Sequence, residues 1–316
     1  DSLKVGDYVA VPLQIPENDY CKEINLAEEL SRTSYANKFI IDNIPEEIYE
    51  TKREELEKFF NVNYKIPRQA YYEHRTKKIL PLKMHYLLSR EELEKSSIRS
   101  TSSVRIKPFL RIDKLLMRFL GLYIAEGWLS HIGNHHRIGF CLNEKEINLI
   151  EDLGKASKNC FGVDIYVEPP ERNAVKVTIN SYALWTVLKE VLNLSRGAKN
   201  KRIPEIIFNV NKELQQEFLR AWFDGDYGST ASRGLMEDVS YLSLFNKDTV
   251  AFQGRERVSN IENRSLKTYE YYTNFFSRNV ENSYSNMIPV EIFNPLQETH
   301  IRLKNKRISR ERLKKI

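Results

Sequence analysis

A chain of 316 residues with 41% hydrophobic content can bury two or three separate cores, and no apolar run nears the ~18 residues of a membrane span. Its three cysteines, Cys21, Cys141 and Cys160, are too scattered for a disulfide framework or a CxxC zinc site, and the opening Asp1–Asp7 lacks the basic and apolar regions of a signal peptide, so a reducing cytoplasm is the expected setting. The net charge of +6 is concentrated: residues 301–316 (IRLKNKRISRERLKKI) hold eight Lys or Arg and one Glu, which leaves the rest close to neutral and points to a polyanion or to a solvated amphipathic helix.

In chain order, residues 3–12 (LKVGDYVAVP) alternate as a strand that Pro12 ends. Residues 16–110 are charged and mixed, with a helix expected over 45–60 and a basic, tyrosine-interleaved stretch over 71–84. The Ser-rich 97–104 (SIRSTSSV) reads as a linker. Asp113 is placed to cap an apolar helix, LLMRFLGLYIAEG. Residues 137–143 read as a strand, after which Asn143 and Glu146 have the spacing of a capping box. Val163–Glu168 and Ala174–Asn180 alternate as strands around a Pro-Pro turn, and Ser181 opens a helix running to about Asn193.

The unit then restarts. Asn211 caps a second helix, 212–226 (KELQQEFLRAWFDGD), so that Glu126 and Asp226 fall at matching positions about one small domain apart. Each helix carries small residues four apart, Gly121 with Ala125 and Ala221 with Gly225, which would let two backbones approach closely. Each ends in a carboxylate facing the negative end of its own dipole, a placement that costs roughly 0.3–1 kcal/mol if uncompensated. Brought together, the two acids would also repel, and oxygen-only ligands at such a spot favour Mg²⁺ or a similar hard cation.

These two segments resemble the paired motifs of the LAGLIDADG homing endonucleases over residues 111–316, most closely the endonuclease region of archaeal inteins, whose block before the second motif resembles KNKRIP at 199–204. The opening DSLKVGDYVAVP is similar to the stretch where such an intein's splicing part meets its endonuclease, and a composition rich in Lys, Glu, Ile and Tyr fits a thermophile. Two departures stand out: Glu126 replaces the commoner Asp, and Tyr227 follows Asp226 where Gly is usual. No Cys or Ser opens the chain and no His-Asn junction closes it, so splicing is not expected.

The resemblance implies an α+β fold of two pseudo-two-fold αββαββα halves forming a DNA-binding saddle, with boundaries at 1–15 for an intein-like strand segment, 16–110 for an accessory region, 111–210 for the first half and 211–316 for the second. It implies a monomer that cuts double-stranded DNA with Mg²⁺, in two or more ions and with Mn²⁺ able to substitute. Glu126 and Asp226 would be the metal ligands, helped by the carbonyls of Ala125 and Gly225. Lys201 matches the catalytic lysine of the KNKRIP block, and the recurrence of KNKRI at 304–308 nominates Lys306 as its partner, while a rival alignment of IPEIIFN (203–209) with IPVEIFN (288–294) nominates Asn286. A major groove about 12 Å wide accepts a β-ribbon. Candidate DNA contacts are Arg137, Tyr166, Glu168, Arg172, Lys176 and Thr178 in the first half. Ser229, Thr230, Ser232, Arg233, Gln253, Arg255 and Tyr272 are those of the second, with Lys304 and Arg307 in the basic tail. His131, His135 and His136 fall in an expected turn, read as solvated and beside phosphate, with a metal site as the lesser reading. An RNA maturase and a non-cleaving DNA-binding regulator are the alternatives on this scaffold.

Overall fold

The computed structural model describes residues 20–100, 104–133, 135–194, 197–245, 252–261, 264–272, 301–303 and 306–308. The expected strand at 3–12, together with Asn286 and Lys304, lies outside them.

Strand β1 (Glu23–Asn25) leads directly into helix α1 (Leu26–Arg32), capped by the Asn25 side chain, which accepts from Glu28 N. β2 (Phe39–Asp42) is followed by the short helix α2 (Glu46–Thr51), then α3 (Arg53–Asn63) and α4 (Pro67–Lys77). β3 (Ile79–Pro81), α5 (Arg90–Glu94) and β4 (Ser97–Ser100) complete an antiparallel sheet of order β3-β2-β4, and β5 (Phe109–Arg111) pairs back onto β1. The Ser-rich segment is therefore no linker over residues 97–100. Ile98 alternates into the core and Asp42↔Ser97 through Phe39↔Ser100 are in register, a pairing partner nearly sixty residues away that local composition does not announce.

α6 (Lys114–Glu126) begins at Asp113, whose side chain accepts from Leu116 N at 3.0 Å, as expected. β6 (Gly127–Ile132) continues from it without a loop, and β7 (His135–Asn143), α7 (Ile147–Ala156), β8 (Tyr166–Val167), β9 (Ala174–Asn180) and α8 (Tyr182–Thr186) give the αββαββα order around a sheet β6-β7-β9-β8. The Asn143 cap is displaced: α7 starts four residues later, the Asn143 side chain accepts from Lys145 N, and only the Glu146 half of the box forms, accepting from Asn143 N at 2.8 Å. The expected strand at 163–168 shrinks to two residues. The three histidines sit in the β6–β7 hairpin, where His131 and His136 stack at 4.3 Å on the same side as Trp185. Among the described residues no group of three or more His, Cys, Asp or Glu is placed to hold a metal.

α9 (Lys212–Asp226) spans the expected residues under an Asn211 cap that accepts from Leu214 N at 3.0 Å. It is followed by β10 (Ser229–Thr230), α10 (Arg233–Phe245), and the long hairpin of β11 (Gln253–Ile261) and β12 (Arg264–Tyr272), in a sheet β10-β12-β11. The second half thus departs from the first, with α10 arriving after one short strand rather than two. In the basic tail β13 (Ile301–Leu303) and β14 (Lys306–Ile308) form an antiparallel ribbon in place of a helix. The fold is α+β. Among the described residues no helix is long and apolar enough to cross a membrane.

Candidate active site

Two helices make the site because their small residues face each other. A Cβ added at Gly121 would lie 2.5 Å from Ala221 Cβ and 2.5 Å from Phe218 O, and one added at Gly225 would lie 2.5 Å from Ala125 Cβ. The two contacts run in the same order along both helices, so α6 and α9 pack side by side in parallel, at a separation that leucine ridges would forbid. Their C-terminal acids are delivered to one place, with Glu126 Cγ 3.6 Å from that same hypothetical Gly225 Cβ. Asp224, one turn position away, is not part of the site: with Asp152 of α7 it holds Arg118 of α6 in a shared ion pair.

The helix ends differ. Gly127 is extended (φ −79°, ψ 152°) and passes straight into β6, and a side chain there would collide with Tyr123. Tyr227 instead closes α9 in the left-handed region at φ 50°, its N–H donating to Phe223 O, with Gly228 also left-handed at φ 74°. A non-glycine residue pays about 1–2 kcal/mol for that conformation, which is the physical content of the unusual tyrosine after Asp226.

Lys201 lies where both acids feel it. Its Nζ donates to Ala125 O at 2.5 Å, and it is the principal charge drawing down the pKa of both Glu126 and Asp226. Burial is the larger influence on all three groups: it pushes the Glu126 carboxyl up, pushes Asp226 up to about 7, and pulls the Lys201 ammonium below its usual range. Mutual repulsion of the two carboxylates adds to the rise at Asp226. Trp222 Nε1 is buried without a hydrogen-bond partner of normal geometry, yet faces Asp226 and pulls slightly the other way.

The loop carrying Lys201 is anchored to α10. Ser232 Oγ donates to Lys201 O at 2.7 Å and also caps α10 by accepting from Leu235 N at 3.2 Å. Asp238 accepts from Arg202 Nε and Nη2 at 2.7 and 2.6 Å and from Ile203 N at 3.0 Å. Ser232, expected to read bases, is 1% exposed and instead fixes this loop and caps α10; Arg233 is on a helix, paired with Glu237, not on a strand.

An open cavity of about 220 Å³ lies against this group, lined by Ala125, Lys201, Asp226 and, from the second hairpin, Arg257, Thr268 and Glu270. Arg257 went unnoticed in the sequence, although Gln253, Arg255 and Arg257 alternate onto one strand face and so carry the signal. Glu270 is buried and held below the usual carboxylate range by Arg255 and Arg257, against a burial effect that alone would raise it. Lys306 and Arg307 lie on β14, whose backbone pairs with β13. Ala125 O is an acceptor for Lys201, and Gly225 serves the helix contact.

On the first sheet, register assigns Trp128, Ser130, Arg137, Lys176, Thr178, Asn180 and Tyr166 to the face away from the core residues Leu129, Ile138, Val175, Val177 and Ile179. Arg137, Lys176 and Tyr166 are exposed there, and Arg172 is in the exposed turn that joins β8 to β9, at φ 51°. Thr178 is not available: it is 2% exposed, beside Tyr166 and opposite Gly139, over which the Trp128 ring lies. Thr230 of the second sheet is buried as well.

No family model matches the chain. Over 259 residues, 77% of its length, it is 29% identical to the DNA polymerase II large subunit of Thermococcus kodakarensis. Over 233 residues (72%) it is 30% identical to an uncharacterised protein of Methanocaldococcus jannaschii, and over 183 residues (57%) 29% identical to transcription initiation factor IIB of the same organism. The chain spans only 13%, 25% and 24% of the lengths of these relatives. Among solved structures, the homing endonuclease I-DmoI with its target DNA aligns with 54% of this chain and 98% of its own, at 12% identity and a TM-score of 0.34, too remote a likeness to assign a function.

Proposed function

We propose that this chain is a divalent-metal-dependent, site-specific DNA endonuclease of the LAGLIDADG homing type, belonging to an intein. The observation that carries the reading is the interlocked helix pair: two parallel helices packed through Gly121–Ala221 and Ala125–Gly225, ending in two half-buried acids that both feel the Lys201 charge. The relatives support the intein part. A polymerase subunit and a transcription factor have little reason to share a stretch of this kind, unless the stretch is an element inserted into different hosts. Residues 16–110 are then accessory, with 111–210 and 211–316 as the two halves.

The donor set fits a hard cation. Once both carboxylates are ionised, the single nearby ammonium leaves one negative charge in a poorly solvated place, and all the side-chain ligands are oxygen. Glu126 and Asp226 would hold Mg²⁺ or Mn²⁺, with the Ala125 and Gly225 carbonyls as further candidates. When bound, the ion supplies charge relief on the scissile phosphate and a more acidic water. Lys201, held by Ala125 O and the Ser232-anchored loop, keeps a positive charge at the phosphate as its charge grows. Arg257, paired with Glu270, lines the same cavity and offers a second cation alongside the sequence candidate Lys306. Arg137, Tyr166, Arg172 and Lys176 would face the major groove, with Arg255 in the second half and Lys304 and Arg307 in the tail. One chain brings both acids, so one monomer should act on one asymmetric site.

The test is incubation with DNA carrying an uninterrupted host-gene sequence, with Mg²⁺ and without it. Ion-dependent double-strand cuts that vanish in Glu126→Gln support the reading. Binding with no cutting under any ion would favour a maturase or a regulator instead.

A further inference from the structure

We propose that the DNA surface does not end at the first sheet but continues onto the N-terminal region, where Arg105 is a ready-made clamp for a backbone phosphate. This rests on the reading of the chain as a DNA-binding protein. The sheet's outer face runs in register from Ser130 to Arg137 to Asn180, with Arg137 Nε donating to Asn180 Oδ1 at 3.3 Å. Beyond Asn180, past the short edge strand β8, an open depression of about 360 Å³ is shared by Tyr166, Thr178 and Asn180 of the sheet with Val104 and Arg105 of the N-terminal region. Arg105 thus adjoins the surface on which Arg137 and Tyr166 stand, although it lies 75 positions before Asn180 (180 − 105) in sequence.

Its side chain is fixed before any ligand arrives. The neighbouring backbone is pinned by Ile106, which exchanges hydrogen bonds with Ile98 at 2.8 and 2.9 Å, and by Lys107 N donating to Phe161 O at 3.2 Å. Arg105 Nε donates at 2.8 Å to Asp42, a carboxylate only 4% exposed, which also takes Arg99 Nε at 2.5 Å. One buried carboxylate between two guanidiniums leaves a net positive charge. The Arg105 side chain is nonetheless 58% exposed, and among the described residues its two Nη groups make no hydrogen bond. A guanidinium tethered through Nε with its Nη edge open to solvent has the geometry for a bidentate phosphate contact with little ordering cost. The nearby acid of the depression, Asp164, is already neutralised by Lys158 at 2.7 Å. A phosphate contact, rather than a base contact, suits a residue at the sheet's rim, because phosphate contacts set register along the duplex.

Because the contact is sequence-independent, no target site is needed. The probe is a short random-sequence DNA duplex, titrated by fluorescence anisotropy over a series of salt concentrations without divalent metal. Arg105→Gln should weaken binding several-fold at low salt and make the slope of log K against log salt shallower by about one, whereas Arg105→Lys should recover most of the slope and less of the affinity. Folding should survive, since Arg99 stays on Asp42, and a thermal melt checks it. Arg32→Ala, removing an exposed arginine paired with Glu28 and Glu29, should leave the slope alone. Unchanged binding by Arg105→Gln, or an equal loss in Arg32→Ala, overturns the assignment while leaving the DNA reading intact. A wild-type chain that does not hold the duplex at low salt overturns both.

Discussion

Gly225→Ala adds one methyl group at the closest point between α6 and α9. That carbon would lie 2.5 Å from Ala125 Cβ, where apolar carbons rest at about 3.5–4.0 Å. Both partners are stiff, an alanine and a helix backbone, so the helices must part by roughly 1 Å. Stability changes little in sum: alanine improves helix propensity by about 1 kcal/mol, while overpacking costs about 1–3 kcal/mol. The net loss is then at most about 2 kcal/mol, a fall in Tm of a few degrees for a chain of this size. Catalysis should suffer much more. The widened seam sits one residue before each acid, and a 1 Å misplacement of reacting groups can cost on the order of 100-fold, about 2.7 kcal/mol of barrier. Single-turnover cleavage of the target duplex at saturating enzyme measures it, with gel shift to show that binding persists. Gly133→Ala is the control, since nothing lies within 4 Å of a Cβ there and only the left-handed φ of 59° is taxed. A folded Gly225→Ala protein that cuts at the wild-type rate would refute the claim that the helix seam sets the distance between the acids.

Glu126→Gln and Asp226→Asn should each abolish double-strand cleavage and leave specific binding largely intact; undiminished cutting by either variant removes that acid from the site. Lys201→Ala should slow single-turnover cleavage at least tenfold, about 1.4 kcal/mol, whereas a variant that loses affinity alone would mark Lys201 as a phosphate anchor. Burial raises the Asp226 pKa from 3.8 to about 7, so the stability that its proton confers is complete below pH 3.8 and lost as pH rises through 7. In chelator, Asp226→Asn and the wild type should therefore melt alike near pH 4 and the variant higher at pH 8, with a ceiling of about 4 kcal/mol reduced by the stranding of Lys201. Parallel melting curves across that range would show that the carboxylate is well solvated. Removal of residues 302–316 should weaken binding at low salt and flatten its salt dependence; an unchanged slope places the basic ribbon away from DNA.

What the sequence disclosed was what local forces decide. The extents of α6 and α9, their caps at Asp113 and Asn211, and the pairing of small residues with terminal acids all depend on periodicities of three and four and on side chains three residues from a backbone N–H. Lys201 was nominated through a motif, and the structure shows its loop tied to α10 by Ser232 and Asp238. The misreadings share a cause. Ser232 and Thr178 look like polar surface residues, and Ser97–Ser100 like a spacer, until elements distant in sequence cover or pair with them. Arg257 and Arg105 were passed over for the complementary reason: each gains its meaning from a neighbour, Asp226 across the cavity or Asn180 across the sheet, that no short window contains.

The β1–β5 ribbon has an architectural consequence. Glu23 pairs with Arg111 and Asn25 with Phe109, and antiparallel partners lie only about 4.5–5.5 Å apart, so the whole excursion from Leu26 to Pro108 departs and returns through one narrow gate. Immediately past that gate the chain enters α6. The excursion can therefore lengthen, shrink or be exchanged over generations while α6, which ends in Glu126, keeps its starting point. On the proposed function, a lineage would then remodel how much of a duplex it grips without disturbing the pair of acids at the helix ends.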